Sequence, residues 1–172
     1  MSSDETTILD NKDSVNKESA KSLLNSEGFG ISNGVSTILA LLAGFYATKT
    51  PKFTAVGALL SLLLTDPIND SFSIYVSMKH NNSEIAYNKF LETFLSQVSI
   101  QFLFLVVLFY SSNVYNAFIT SCVIGLGLLL YDYNKRFKNK KEIAKELSKI
   151  LTLIFITFVI NTLFYKYYHN KL

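Results

Sequence analysis

The chain has 172 residues, of which 49% are hydrophobic and only 17% are charged. Because a soluble domain has a charged fraction of about a quarter, these proportions indicate a membrane protein. The single Cys122 and the two histidines exclude a disulfide framework and a zinc finger, and the net charge of +3 is too small to indicate nucleic-acid binding.

Residues 1–28 form a polar segment with many acidic and basic side chains and few large apolar ones. We expect this segment to be disordered, apart from a short helix over residues 17–24. Its first residues lack the basic start and the apolar run of a secretory signal, so we predict no cleaved signal peptide.

Five apolar blocks follow, each long enough for a helix that crosses the roughly 30 Å hydrocarbon core of a bilayer. They cover residues 31–48, 54–78, 91–111, 114–131 and 147–168. Polar stretches with proline, lysine or asparagine separate them, as at residues 49–52 and 79–83. The sequence therefore predicts an all-α integral membrane protein with five transmembrane helices within residues 29–172. We expect these helices to contact the lipid bilayer.

The basic residues are divided unequally between the two sides that this topology defines. Twelve lie on the side of the N-terminus, seven of them between Lys135 and Lys149, and four lie on the other side. Because cytosolic loops of membrane proteins are enriched in Lys and Arg, we predict a cytosolic N-terminus and a C-terminus on the opposite side.

The second predicted span carries polar side chains at helical spacing. Five of them fall on one face of the helix: Asp66, Asn69, Asp70, Ser73 and Ser77. Asp66 lies about 18 Å of helix rise beyond Thr54, which places it near the middle of the membrane. An ionised carboxylate there costs roughly 3 kcal/mol, so such a residue is a functional candidate by default.

Asp66 and Asp70 are separated by one helical turn. Two carboxylates at this spacing suit either a divalent cation or a proton held between like charges. Pro67 removes one backbone hydrogen bond and frees a carbonyl one turn earlier, which is a further oxygen for a cation. The alternatives are that these polar groups only hydrogen-bond neighbouring helices, or that the span is shorter and both carboxylates lie near the membrane surface.

Other spans offer weaker candidates. Thr93, Gln97 and Gln101 recur every four residues in the third span, and amides at such positions more often link helices than bind ions. Of these we expect Gln97 to line the path of an ion, together with Asn69 and Ser73. No nucleophile elbow, P-loop or zinc signature is present in the sequence, so we do not predict an enzyme.

The first span contains a stripe of small residues, formed by Ser36, Ala40 and Gly44. Small side chains at four-residue intervals allow two helices to approach closely. We expect these residues to lie at a helix crossing, either within one chain or between two copies.

Several short motifs resemble the vacuolar iron transporter family, with its yeast-type calcium-cross-complementer and nodulin-like relatives. Residues 32–34 (Ser-Asn-Gly), followed by the apolar run 39–44 that ends in Ala-Gly, are similar to the family's first helix. Asp66 followed by Ser73-Ile74, with Asp70 between them, is similar to its second helix. The resemblance covers about residues 24–168 and implies five helices in the same order.

The resemblance implies a homodimer that moves Fe²⁺ or Mn²⁺ out of the cytosol in exchange for protons, along a path between the first two helices. It implies no permanently bound cofactor. Asp66 and Asp70 would bind the ion and take up protons in its absence, and Asn33 would contribute a carbonyl oxygen. The location would be a vacuole-like or other internal membrane, or the plasma membrane of a prokaryote.

Two departures from the family pattern matter for function. Asn33 stands where the family has an acid, and Ile74 stands where it has Met, so a charge and a thioether are missing from the expected path. The acidic cytosolic insertion of the family is reduced to about a dozen residues around Glu84. The chain is therefore either a minimal transporter that relies on Asp66 and Asp70, or a degenerate relative or membrane scaffold in which the polar residues only pack helices.

Overall fold

The computed structural model describes residues 26–80, 83–137 and 139–169. The predicted disordered segment and the short helix over residues 17–24 lie outside these ranges, except that residues 26–28 begin the first helix. Within the described ranges the chain forms helices and no strands: α1 (Ser26–Ala47), α2 (Lys52–Lys79), α3 (Ser83–Tyr110), α4 (Val114–Arg136) and α5 (Lys140–His169). The all-α prediction is confirmed.

Four helices, α1, α3, α4 and α5, are long and apolar enough to cross a membrane. The chain therefore has the composition of a multi-pass membrane protein. α2 is long enough at 28 residues, but the polar side chains that begin at Asp66 lower the mean hydropathy of its second half. A crossing by α2, and with it the count of five spans, stays a prediction.

The helices extend beyond the predicted apolar spans. α3 begins at Ser83, two turns before the predicted start of its span, and α5 begins at Lys140 instead of residue 147. Hydropathy locates only the apolar middle of a helix, whereas the backbone hydrogen bonds continue through polar turns that face water.

The helices run alternately up and down. At one end of the bundle, Arg136 of α4 reaches the carbonyl of Gly28 at the start of α1. At the other end, Lys52 of α2 donates to the carbonyl of Ser111 just beyond α3, at 2.6 Å, and the ammonium of Lys49 lies over the ring of Tyr165 near the end of α5. α1 therefore begins at one end of the bundle, and α5 ends at the opposite end.

α1 is the central helix. It packs against α3, α4 and α5, and five of its apolar side chains are completely buried: Val35, Ile38, Leu39, Leu42 and Ala43. α2 packs mainly on α3 and makes only a small contact with α1. On its outer side α2 exposes a row of large apolar residues at four-residue intervals: Leu60, Leu64, Ile68, Phe72 and Val76. Such a row is unfavourable in water and matches the hydrocarbon of a bilayer.

Two glycines bring α1 and α3 close together. A Cβ atom at Gly30 would overlap the Ser96 hydroxyl oxygen and lie 2.8 Å from the Thr93 carbonyl oxygen, and one at Gly34 would lie 3.4 Å from Cγ of Gln97. A larger residue at Gly30 would press against the backbone of α3 and push the helices apart, whereas one at Gly34 would require only a small shift of the neighbouring side chains. The close approach places Gln97 beside the part of α1 that carries Asn33.

The small-residue stripe of α1 meets α5 within the same chain. A Cβ atom at Gly44 would lie 3.3 Å from the side-chain nitrogen of Asn161, and Ser36 donates its hydroxyl to the carbonyl of Ser32 in its own helix at 2.6 Å. Gly44 therefore lies at a helix crossing inside one subunit, and a contact of this stripe between two copies stays a prediction.

Candidate functional site

Polar side chains from three helices meet inside the bundle. α2 supplies Asp66 and Asp70, α1 supplies Asn33, and α3 supplies Gln97 and Gln101. We call these five residues the carboxylate–amide cluster. Gln97 is completely buried and Gln101 is 2% exposed, while the two carboxylates and Asn33 are half-buried.

The three amide groups all donate to the two carboxylates. The side-chain nitrogen of Gln97 lies 2.8 Å from Oδ2 of Asp70 and 3.3 Å from Oδ2 of Asp66, so both carboxylates converge on one nitrogen atom. Gln101 donates to Oδ2 of Asp66 at 3.0 Å. Asn33 donates to Oδ2 of Asp70. Each carboxylate therefore accepts hydrogen bonds from two amides on other helices.

The spacing of the residues explains this arrangement. Asp66 and Asp70 are one turn apart on α2, and Gln97 and Gln101 are one turn apart on α3. Because residues four apart in a helix lie above one another on the same face, two such pairs on neighbouring helices are matched in height. The repeat that the sequence shows in each helix is therefore what brings the two pairs together.

The cluster carries two formal negative charges when both carboxylates are ionised. Within the described ranges neither Asp66 nor Asp70 forms an ion pair, since the salt bridges there involve other residues. Amide dipoles stabilise these charges only partly. The site therefore attracts a cation or protons.

α2 continues as a helix through Pro67, which is buried and lies between the two carboxylates. Proline has no backbone N–H, so the carbonyl of Leu63, one turn earlier, lacks its usual intrahelical donor. This provides one further backbone acceptor on the same helix as the carboxylates.

The structure brings together Asp66, Asp70, Asn33 and Gln97, all of which were predicted as site residues. It does not bring Asn69 and Ser73 to them. Both side chains are exposed, and the Ser73 hydroxyl donates to the carbonyl of Asn69 in its own helix at 2.8 Å. The predicted polar stripe is wider than the face of α2 that α3 covers, so Asn69 and Ser73 lie outside the cluster. The prediction that these two residues belong to the site is therefore corrected.

Gln101 is the member of the cluster that the predicted set of path-lining residues omits. Its signal was present in the sequence as the four-residue repeat with Thr93 and Gln97. The structure shows that this repeat continues the contact with α2 for one more turn, because Gln101 bonds Asp66 while Gln97 bonds both carboxylates.

In the described part of the chain no group of three or more His, Cys, Asp or Glu side chains is arranged to hold a metal ion. A cation in the carboxylate–amide cluster would therefore bind two carboxylates and complete its coordination with amide or backbone carbonyl oxygens, or with water. Oxygen ligands of this kind suit Mg²⁺, Ca²⁺ and Mn²⁺.

A second polar contact holds the start of α1 next to the cluster. Arg136 pairs with the buried carboxylate of Asp132, one turn earlier in α4, and donates to the Ser32 hydroxyl at 2.7 Å and to the Gly28 carbonyl at 3.1 Å. Its guanidinium carbon lies 5.0 Å from the centre of the Tyr133 ring. The sequence places Arg136 in the basic run, whereas the structure shows that it links two helices beside the position of Asn33.

The chain matches no family model, no curated protein and no solved structure. The resemblance to the vacuolar iron transporter family therefore depends on short sequence motifs, such as those around Asn33 and Asp66, and its functional implications are proposals.

Proposed function

We propose that this protein is a membrane transporter that exports a divalent metal ion, Fe²⁺ or Mn²⁺, from the cytosol by exchange with protons. Asp66 and Asp70 bind the ion and take up protons in its absence. The observation that supports this proposal is the convergence of both carboxylates on the amide of Gln97, in a bundle whose other helices have the composition of membrane spans.

In a membrane, the negative charge of the carboxylate–amide cluster favours a bound cation. Ionised side chains inside a membrane are costly, and they persist mainly where they bind ions, substrates or protons. The side chains that hydrogen-bond the carboxylates of Asp66 and Asp70 are three neutral amides. The negative charge of the cluster is therefore not balanced by these partners. At low effective dielectric constant, this charge attracts a divalent cation more strongly than it would in water.

The proposal includes the cytosolic N-terminus, on the basis of the distribution of Lys and Arg. It also includes a homodimer. The resemblance to a family of dimers supports this part of the proposal.

Transport is tested with purified protein in liposomes that contain a dye quenched by Mn²⁺. We expect wild-type protein to carry Mn²⁺ across the membrane and Asp66→Ala to lose this flux. Asn69→Ala is the matched control, because Asn69 lies on the same helix near Asp66 but outside the cluster. Equal flux with wild type and Asp66→Ala, from equally folded protein, would contradict the proposal.

A scaffold without transport is the second candidate, and one observation favours it. Each amide in the cluster joins two different helices, so the same hydrogen bonds that surround the carboxylates also hold α1, α2 and α3 together. The scaffold predicts that wild-type protein neither carries Mn²⁺ nor binds it, while Asp66→Leu lowers thermal stability.

A further inference from the structure

The two glutamines of the carboxylate–amide cluster each use only half of their amide group. Their nitrogens donate to Asp66 and Asp70. Their oxygens, Oε1 of Gln97 and Oε1 of Gln101, are buried and have no hydrogen-bond partner among the residues that the structure describes. A buried acceptor without a partner is unfavourable, so two of them on adjacent turns of one helix require an explanation.

A side-chain amide carries two donors on one side and an acceptor on the other. Rotation of the terminal amide by half a turn exchanges their positions with almost no change in shape. With the cluster empty, the present orientation is favoured, because the N–H groups face the carboxylates and carbonyl oxygens there would repel them. With a cation between the carboxylates, the preference is reversed, because N–H groups repel the cation and carbonyl oxygens bind it.

We propose that Gln97 and Gln101 are ligands of the transported ion, and that their amides rotate to present Oε1 when a hard divalent cation enters between Asp66 and Asp70. The inference rests on the proposed function. It adds the class of the substrate, a hard divalent cation, and it explains how two carboxylates are supplemented by further oxygen ligands. Before the cation arrives, the same amides hold the empty carboxylates in place.

The ligand set that results consists of oxygen atoms only. Two carboxylates and two amide carbonyls surround the cation, and Asn33, whose amide also donates to Asp70, supplies a third carbonyl by the same rotation. This set suits cations that prefer carboxylate and carbonyl oxygen, such as Mn²⁺, and it lacks the thiolate, thioether and imidazole groups that favour copper and zinc.

The sequence offers a specific probe of this rotation, because Gln97 and Gln101 are the only glutamines in the chain. Protein made with glutamine carrying ¹³C at the side-chain carbonyl is therefore labelled at the cluster alone. In infrared difference spectra of the full chain in lipid nanodiscs, we expect addition of Mn²⁺ to shift the labelled carbonyl band to lower frequency. A labelled band that does not move, while the carboxylate bands do, would overturn the proposal.

Calorimetric titration with Mn²⁺ gives an independent test, because the two possible roles of Gln101 predict opposite changes in Mn²⁺ affinity when its amide is removed. If its oxygen is a ligand, Gln101→Leu weakens binding about tenfold or more, as is usual for the loss of a group that supports a metal site, and Gln101→Glu, which keeps an oxygen, retains binding. If Gln101 only donates to Asp66, Gln101→Leu removes a competitor of the cation, so unchanged or tighter binding would overturn the proposal. Helicity and a single elution peak establish that each variant is folded.

The same titrations separate this inference from the function on which it rests. Wild-type protein that binds no Mn²⁺ contradicts the transporter and the rotation together. Wild-type binding that is lost in Asp66→Ala but unchanged in Gln101→Leu contradicts the rotation alone and leaves the transporter standing.

Discussion

Asn33 of α1 donates its side-chain amide to the carboxylate of Asp70 on α2, although the two residues are 37 positions apart in the chain. α1 and α2 share only a small contact surface, and this hydrogen bond joins them directly. We therefore expect the contact between these two helices to change when Asp70 is protonated or bound to a cation.

Asn33→Asp tests this relationship. The change replaces a donor to Asp70 with a third carboxylate, so the loss of a hydrogen bond to a charged group should cost about 1.5–3 kcal/mol of stability without metal. The added charge should tighten Mn²⁺ binding, and it should make binding more dependent on pH because protons compete for three carboxylates. Titration of both proteins with Mn²⁺ at two pH values measures this effect. A stable variant with unchanged affinity would remove Asn33 from the ion path.

The contact between α1 and α3 predicts a contrast between two glycines. Gly30→Ala places a methyl group against the Thr93 carbonyl and the Ser96 hydroxyl, so we expect a loss of about 1–3 kcal/mol, as in other overpacked sites. Gly57→Ala is the matched control, since its methyl group meets no other described residue outside its own helical turn within 4 Å and improves helix propensity by about 0.5–1 kcal/mol. Denaturation of the detergent-solubilised variants, followed by circular dichroism, measures both values. Equal stability of the two variants would contradict the close packing of α1 on α3.

The link between α4 and α1 is tested at Arg136. Arg136→Met leaves the carboxylate of Asp132 buried without its cation, and we expect a loss of about 3 kcal/mol. Combination with Asp132→Leu should recover part of this loss. Lys149→Met is the control, because it breaks the exposed pair with Glu146 and should change stability by less than about 1 kcal/mol. A similar small effect for Arg136→Met would show that the pair contributes little.

The topology is tested with tags at both termini. The alternating course of the described helices and the excess of Lys and Arg on one side predict a cytosolic N-terminus and a C-terminus on the opposite side. In sealed vesicles of known orientation, protease should remove one tag and spare the other. Protection of both tags, or cleavage of both, would require an even number of crossings. That result would contradict five transmembrane helices.

The sequence was sufficient to predict the helices and the acidic pair, because long apolar stretches, and carboxylates next to them, are strong local signals. It was not sufficient to delimit the site. Asn69 lies between Asp66 and Asp70 in the chain, yet its side chain is exposed, because only packing decides which part of a polar stripe α3 covers. Arg136 was likewise predicted as one base among seven, since its partners on α1 are more than 100 positions away and no local pattern records them.

The packing of α2 also has a consequence for biosynthesis. α2 carries the two carboxylates and lies almost entirely against α3, the helix that follows it and provides both glutamines. A segment with two charged side chains partitions poorly into lipid by itself. In a helical hairpin of α2 and α3, the amides of α3 already hydrogen-bond the carboxylates of α2, so the free-energy cost of their desolvation is smaller. If α2 crosses the membrane as proposed, we expect the insertion machinery of the cell to hold it until α3 has been synthesised, and to release the two helices together.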